Sequence, residues 1–349
     1  MTGSRVRPKT RKKRSAVLVA AKVLYWLVFT LSLVIVVGYW HFTRPPTVSR
    51  EEPGATLAIV SDDPATPEDE SLTPPSMPPQ DQGRAYKDQC YTFLVMGMDA
   101  GNGNTDTMMV VTYDVPGKHV GVVSVPRDTL MDVPRTVKKI NAAYASGGVD
   151  EVKAELSGML GFPLDYYIII DLRGFRALVD TLGGVDFDVP VNMNYDDPTQ
   201  DLHIHLNKGM QHLSGAQALQ LVRFRSGYAN ADIGRIQTQQ KFLVALVKKL
   251  ASWNSVTKIN EFVDIFAENV KTDLSVREMG FFALSVLDLD LDAGVSLGTL
   301  PGDGTVSYKG IHYYYQLDPE KTLELLNQLG MSPYEDPLTQ EDLSIFQVK

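Results

Sequence analysis

Met108-Met-Val-Val-Thr-Tyr113, then Asp114-Val-Pro-Gly117, then Val120-Gly-Val-Val-Ser-Val125 reads as strand, turn, strand. The two outer runs are short, apolar and rich in β-formers, and the Pro-Gly step between them is turn chemistry. A third such run, Thr92-Phe-Leu-Val-Met96, precedes them. Outward from this hairpin the texture alternates. Helical spacing predicts helices over Glu151–Leu160, ending at Gly161, and over Leu172–Leu182, stopping at Gly183-Gly184. Between them Tyr166-Tyr-Ile-Ile-Ile170 is a buried strand, and Val185-Asp-Phe-Asp-Val189 alternates as another. Ser214 is placed to N-cap a helix to about Val222, and a longer helix spans Thr238–Trp253. Asn260–Asn269, Ser275–Leu287 and Pro319–Leu329 are further helical segments. Strands and hairpins interleaved with helices around one core predict a layered α/β domain on a mixed sheet.

The chain before this domain has another character. Arg5, Arg7, Lys9, Arg11, Lys12, Lys13 and Arg14 crowd the first fourteen residues, with no acid among them. Val17–Trp40 is almost wholly apolar. At about 1.5 Å per residue a helix of that length spans about 36 Å, enough for a hydrocarbon core of about 30 Å. Tyr39 and Trp40 end it as interfacial anchors, and the basic cluster predicts a cytoplasmic N-terminus. No small-x-small cleavage site follows, which favours a retained anchor over a signal peptide. The expected organisation is a basic cytoplasmic tail over residues 1–15 and a transmembrane helix over 16–40. A Pro-rich disordered stalk over 41–86 and an outer domain over 87–349 complete it. The net charge of −9 is carried by the outer part, which excludes nucleic acid as its partner. Cys90 is the single cysteine, so no intrachain disulfide forms.

Residues with chemical potential sit where strands end and helices begin. Asp99 follows the first strand and Asp106 opens the next, across a Gly/Asn loop. Two such carboxylates suit a hard cation such as Mg²⁺, although Asp in such a loop also serves as a turn former. In Pro126-Arg127-Asp128 the proline ends a strand and Arg127 projects just past it, placed for a phosphate or for a surface ion pair with Asp128. In Arg223-Phe224-Arg225 both arginines face one cleft only if the helix ends before them; otherwise one of them serves. Asp232, Arg235 and Gln239 share a helical face, with Asp232 also readable as an N-cap; Gln240 points elsewhere. His203 and His205 fall on one side of a strand, with no third ligand near in sequence, and read as ordinary strand residues. Four arginines and one anchor point to a surface enzyme acting on a phosphate-bearing, lipid-linked substrate.

Eight motifs occur in order: Phe93-Leu-Val-Met-Gly-Met-Asp99, Thr105-Asp-Thr107, Ser124-Val-Pro-Arg-Asp-Thr129, Lys139-Ile-Asn-Ala-Ala-Tyr144 with Gly147-Gly148, Leu182-Gly-Gly-Val185, Leu213-Ser-Gly-Ala-Gln-Ala-Leu219, Arg223-Phe-Arg225 and Asp232-Ile-Gly-Arg235. Over about residues 90–250 the chain resembles the LytR–CpsA–Psr (LCP) family of Gram-positive cell-envelope enzymes, with weaker similarity to about residue 330. The resemblance implies an α/β fold with a mixed, largely antiparallel central sheet layered between helices, plus one N-terminal transmembrane helix. It implies a phosphotransferase that moves a teichoic acid, capsular or similar glycopolymer from a polyprenyl-pyrophosphate carrier to the muramic acid C6 hydroxyl of peptidoglycan, with pyrophosphate cleavage as a side activity. By motif, Asp99 and Asp106 would hold Mg²⁺, while Arg127, Arg223, Arg225, Arg235 and Gln239 would bind the pyrophosphate. Asp232 would be the base for the acceptor hydroxyl, with Asp128 and Asp99 as competitors. The lipid would occupy an apolar tunnel walled by the 150–190 and 214–250 segments. One departure stands out: Thr238 occupies the place of a second arginine common in the family, which implies tuned substrate binding. The alternative from another class is an anchored polyprenyl-phosphate-binding or scaffolding protein without turnover. Transcription regulation, a label the family has carried, conflicts with the acidic outer domain.

Overall fold

The computed structural model describes residues 30, 32, 37–38, 40–48, 50, 83–98, 105–199, 202–228, 231–252 and 268–348. The elements that organise the domain are β1 (Cys90–Met98), β2 (Thr105–Asp114), β3 (His119–Ser124), α1 (Ala143–Leu160), β4 (Tyr166–Asp171), α2 (Leu172–Thr181), β5 (Val185–Val189), β6 (Met193–Asp197), β7 (Leu202–Leu206) and β8 (Gly209–Leu213). They continue with α3 (Gly215–Arg223), α4 (Ala231–Ala251), β9 (Val270–Thr272), α5 (Val276–Val286), β10 (Val295–Thr299), β11 (Gly302–Tyr308), β12 (Ile311–Leu317) and α6 (Pro319–Gln328).

The central sheet has the order β10-β3-β2-β1-β4-β9. The β1–β2, β2–β3 and β4–β9 pairings are antiparallel, while β1–β4 and β3–β10 are parallel. The sheet is mixed, as expected. The predicted hairpin joins β2 to β3: Asp114 accepts from the Gly117 N–H at 2.8 Å, closing the turn. Side chains alternate across the pleat. Leu94 and Met96, Met108 and Val110, and Val123 and Val125 form one core with Leu156 and Leu160 of α1 and Leu326 near the end of α6. The intervening residues Ser124 and Thr107 hydrogen-bond instead to Gln240 and Gln239 of α4. So α1 and α6 cover one face and α4 crosses the other.

A second core lies among β5–β8, α2, α3 and α4, with Val179, Leu213, Leu221, Phe224 and Phe242 at its centre. The Leu213–Leu219 motif belongs to this packing. Ser214 caps α3 in a full capping box with Gln217. A Cβ on Gly215 would lie 2.2 Å from the Arg176 carbonyl oxygen, and its N–H donates to Asp180 at 2.7 Å. Glycine here lets α2 and α3 meet. Gly183 and Gly184 turn the chain from α2 to β5 at φ of 77° and 89°, a region open to glycine.

Several boundaries differ from expectation. α1 consists of two helical pieces from Ala143 joined at a kink, where Gly147 and Gly148 take non-helical angles, and the spacing over Glu151–Leu160 shows only the second. α4 begins at Ala231, two turns before Thr238. The Asn260–Asn269 helix lies almost wholly outside the described residues, as do the basic tail, the anchor segment and most of the stalk. Among the described residues no helix is long and apolar enough to cross a membrane. Parts of the expected stalk are docked. Arg50 pairs with buried Asp165 at 2.6 Å, and Arg84 and Tyr86 contact Tyr334. The folded part therefore starts before Lys87.

Among the described residues, those up to Pro46 with Ser275–Leu284 form one compact unit, and the remainder another. Within the first, Arg277 donates to the Arg44 carbonyl at 3.0 Å and Phe42 packs on Gly280.

Gly215→Ala is expected to lower stability by about 1–3 kcal/mol through overpacking, measured as a fall in the denaturant midpoint. An unchanged midpoint would show that the α2–α3 approach tolerates a methyl group.

Candidate functional site

One end of the central sheet holds the start of β2 and the exit of Arg127 from β3. β1, β3, β4 and β10 finish there and β2 begins there, as their register requires. Opposite Gly97 and Met98, β2 carries three residues, Thr105, Asp106 and Thr107, so Asp106 is the extra residue of a β-bulge. Bulges recur where a strand must re-aim a side chain. The side chain of Asp106 and the whole of Asp99 lie outside the described residues.

Arg127 leaves the end of β3 after Val125 and Pro126. Its loop is pinned by backbone bonds. The Asn141 N–H donates to the Arg127 carbonyl at 3.1 Å, Ile140 N–H to Thr129 at 3.0 Å, and Tyr315 N–H to Asp128 at 2.8 Å. The Lys139–Tyr144 motif is thus the cradle of the Arg127 motif. Asp128 is drawn to Lys139 at 2.9 Å and lies 3.7 Å from the Arg127 Nε. The neighbouring ion pair is therefore Asp128–Lys139 first, and Arg127 only at the margin. Farther along the loop, Arg135 makes a two-pronged ion pair with Glu155 of α1 and also bonds the carbonyls of Val137 and Lys139. Glu155 is 1% exposed in its side chain. Burial pushes its pKa up, with Arg135 pulling the other way.

The Arg223-Phe224-Arg225 alternatives are resolved by backbone angles. α3 runs through Arg223, and Phe224 then turns extended at φ −67° and ψ 127°. Phe224 is buried, Arg223 half-buried and Arg225 exposed. Phe224 meets the Tyr228 ring edge-on at 5.6 Å. Tyr228 in turn lies against Gly234 of α4, where a Cβ would come within 2.5 Å of the ring. The glycine of the Asp232-Ile-Gly-Arg235 motif is therefore a close-approach residue.

Asp232 lies inside the first turn of α4, which corrects its reading as an N-cap; its side chain is not among those described. Starting the helix at Ala231 keeps Asp232, Arg235 and Gln239 on one face. Arg235 is 4% exposed, a depth at which a cation needs charged or hydrogen-bonding company. Gln239 accepts from Thr107 at 3.4 Å and donates to the Val222 carbonyl at 2.9 Å. It thereby joins α4 both to the strand bearing Asp106 and to the helix turn bearing Arg223. Gln240 is buried and donates to Ser124 at 2.9 Å. Thr238 is buried and bonds back to the Gly234 carbonyl at 2.8 Å; its place is helix packing.

Sequence reasoning passed over Gln240, Tyr228 and the Arg135–Glu155 pair. The only linear signal was a polar residue recurring at inward helical positions.

A mixed six-stranded sheet of this order, with Arg127 leaving β3 at one end, defines a class. The LytR_cpsA_psr family profile matches residues 63–330, and the chain belongs to that family. It is 36% identical over 251 residues to the polyisoprenyl-teichoic acid–peptidoglycan teichoic acid transferase TagU of Bacillus anthracis, covering 70% of this chain and 80% of that one. Its structure is similar to crystalline B. subtilis TagV, with TM-score 0.60 and 27% identity over 69% of this chain and 96% of the other. It is also similar to TagT bound to LI-WTA, with TM-score 0.54 and 26% identity over 69% and 91%.

Arg135→Met is expected to cost about 3–5 kcal/mol by leaving Glu155 buried and unpaired, measured by chemical denaturation. A loss below about 1 kcal/mol would mean that Glu155 finds water or another partner.

Proposed function

We propose that the chain is a membrane-anchored phosphotransferase. It moves an anionic glycopolymer, teichoic acid first, from a polyprenyl-pyrophosphate carrier onto the muramic acid C6 hydroxyl of peptidoglycan. The observation that carries this reading is the Gln239 amide. It ties the helix face of Asp232 and Arg235 to the strand opening at Asp106, at the sheet end where Arg127 leaves β3. The named activities of the relatives support the same chemistry. The basic residues 1–15 and apolar residues 16–40 support an N-terminus in the cytoplasm, a single membrane pass and an outer catalytic domain.

The acceptor oxygen forms a bond to the polymer-side phosphorus, and the phosphoanhydride bond to the carrier breaks. Polyprenyl phosphate leaves with the electron pair. Such a transfer depends on positioning and on neutralising charge at the phosphoryl oxygens. Arg127, Arg223, Arg225 and Arg235 hold positive charge at any working pH and are the groups for that task, with Gln239 as a polar contact. The acceptor proton goes to a carboxylate, for which Asp232 is the candidate by its motif position before Arg235. Asp128 is engaged by Lys139, which makes it the poorer base. Asp99 is the remaining competitor.

The donors at this end fit Mg²⁺. The sequence at the opening of β2, Thr105-Asp-Thr107, supplies hydroxyl and carboxylate oxygens, which are hard ligands, and among the described residues the buried Thr105 hydroxyl has no hydrogen-bond partner. Asp99 and Asp106 would hold the ion. Bound there, it would neutralise pyrophosphate charge.

Arg127→Ala is expected to lower transfer from lipid-linked donor to peptidoglycan by about 100- to 1,000-fold. Its stability should stay within about 0.5 kcal/mol of the parent, because the side chain is partly exposed. Near-parental transfer would remove Arg127 from the site. Chelation by EDTA is expected to stop transfer, and excess Mg²⁺ to restore it; transfer indifferent to EDTA would remove the metal. Donor binding without transfer by the parent chain would instead support the scaffolding alternative.

A further inference from the structure

The β6–β7 ribbon carries a side-chain cluster that the proposed transfer does not use. Asp196 and His203 are directly opposed in the ladder, as are Asn194 and His205 two pairs along. Asn194, Asp196, His203 and His205 therefore project from one face, while Ile204 between the histidines is buried on the other. His203 Nδ1 lies 2.6 Å from Asp196 Oδ1, and His205 Nε2 lies 3.2 Å from the same oxygen. Among the described residues, this is the group of His, Cys, Asp and Glu side chains whose donor atoms all fall within 4.8 Å of one another. All three residues are about half exposed, at 51–57% of their side chains.

We propose that Asp196, His203 and His205 form a binding site for a borderline divalent transition cation, Zn²⁺ foremost. Two imidazoles and one carboxylate are a donor set that such cations prefer and Mg²⁺ does not. Tetrahedral zinc, with bonds of about 2.0–2.2 Å, keeps its donors about 3.3 Å apart. Small side-chain rotations reach that spacing from the distances here. His205 is already oriented for the purpose. Its Nδ1 lies 2.7 Å from Asn194 Oδ1, so the Nδ1 proton is held by Asn194 and the Nε2 lone pair is directed to the ion. Metal-bound histidines are typically held by such an outer hydrogen bond. The fourth position is left to solvent or to a ligand. The ion would clip β6 to β7, and the His205 N–H binds Gln220 of α3 at 3.0 Å, so the clip bears on the helix that ends at Arg223. This site is chemically distinct from the oxygen-ligand site of Asp99 and Asp106.

The test is calorimetric titration of the untagged full-length chain with ZnCl₂. One equivalent is expected to bind, undisturbed by a 100-fold excess of MgCl₂. His203→Ala and His205→Ala should each weaken it by more than 10-fold, and Asn194→Ala by about 10- to 100-fold. Thermal midpoints of these exposed-residue variants without zinc should match the parent. The proposal is overturned if the parent shows no saturable equivalent, if Mg²⁺ displaces it, or if the His203→Ala/His205→Ala double variant retains it.

Discussion

Two neighbouring amides on one helix hold the site together. Gln240 enters the domain and donates to Ser124 at the end of β3 and to the Gly298 carbonyl on β10. Gln239 bonds Thr107 at the start of β2 and the last turn of α3 at Val222. A buried amide left without partners costs about 1–3 kcal/mol, so these bonds fix both the depth and the rotation of α4. Arg235 lies one turn earlier on the same helix, and Arg223 follows Val222 directly. The placement of the cations is thus set by neutral groups. Gly234 completes the arrangement by admitting the Tyr228 ring, which packs on Phe224, the residue between Arg223 and Arg225.

Seen in this way, the ordered motifs divide by task. Leu213–Leu219 and Leu182–Val185 build caps, turns and a close helix crossing. Lys139–Tyr144 cradles the loop after Arg127, and the Arg135–Glu155 pair locks that loop to α1. Only the remainder carries groups suited to phosphate or metal. Thr238 has a structural place of its own. Its hydroxyl satisfies a helix carbonyl in a buried position, so the protein fills that place by packing.

Much of the fold was legible because its punctuation is local. The β2–β3 hairpin, the Ser214 cap, the Gly161 and Gly183-Gly184 stops and the alternation of β5 all follow from nearest-neighbour chemistry. The start of α4 was legible from the Asp232, Arg235 and Gln239 spacing but not from apolar periodicity, which shows the helix only from Thr238. Of its inward residues Arg235, Ile236, Thr238 and Gln240, three are polar, so the segment shows no apolar stripe although it is buried. The Asp196–His203 pair was not legible, since it exists only once the ladder register is known. The arginine motifs were readable as phosphate chemistry, but the Gln239 bonds that join the helix of Arg235 to the start of β2 and to the last turn of α3 are a tertiary fact. Asp99 and the side chains of Asp106 and Asp232 carry expectations from sequence alone.

The most direct measurement follows the phosphorus. Purified full-length chain, lipid-linked polymer and peptidoglycan are incubated with Mg²⁺, and the products are assigned by ³¹P resonance and mass spectrometry. The account predicts polyprenyl monophosphate and a polymer–muramic acid phosphodiester, formed in equal amounts. Donor that stays intact while bound, or a carbohydrate linkage to peptidoglycan that lacks phosphorus, would contradict it.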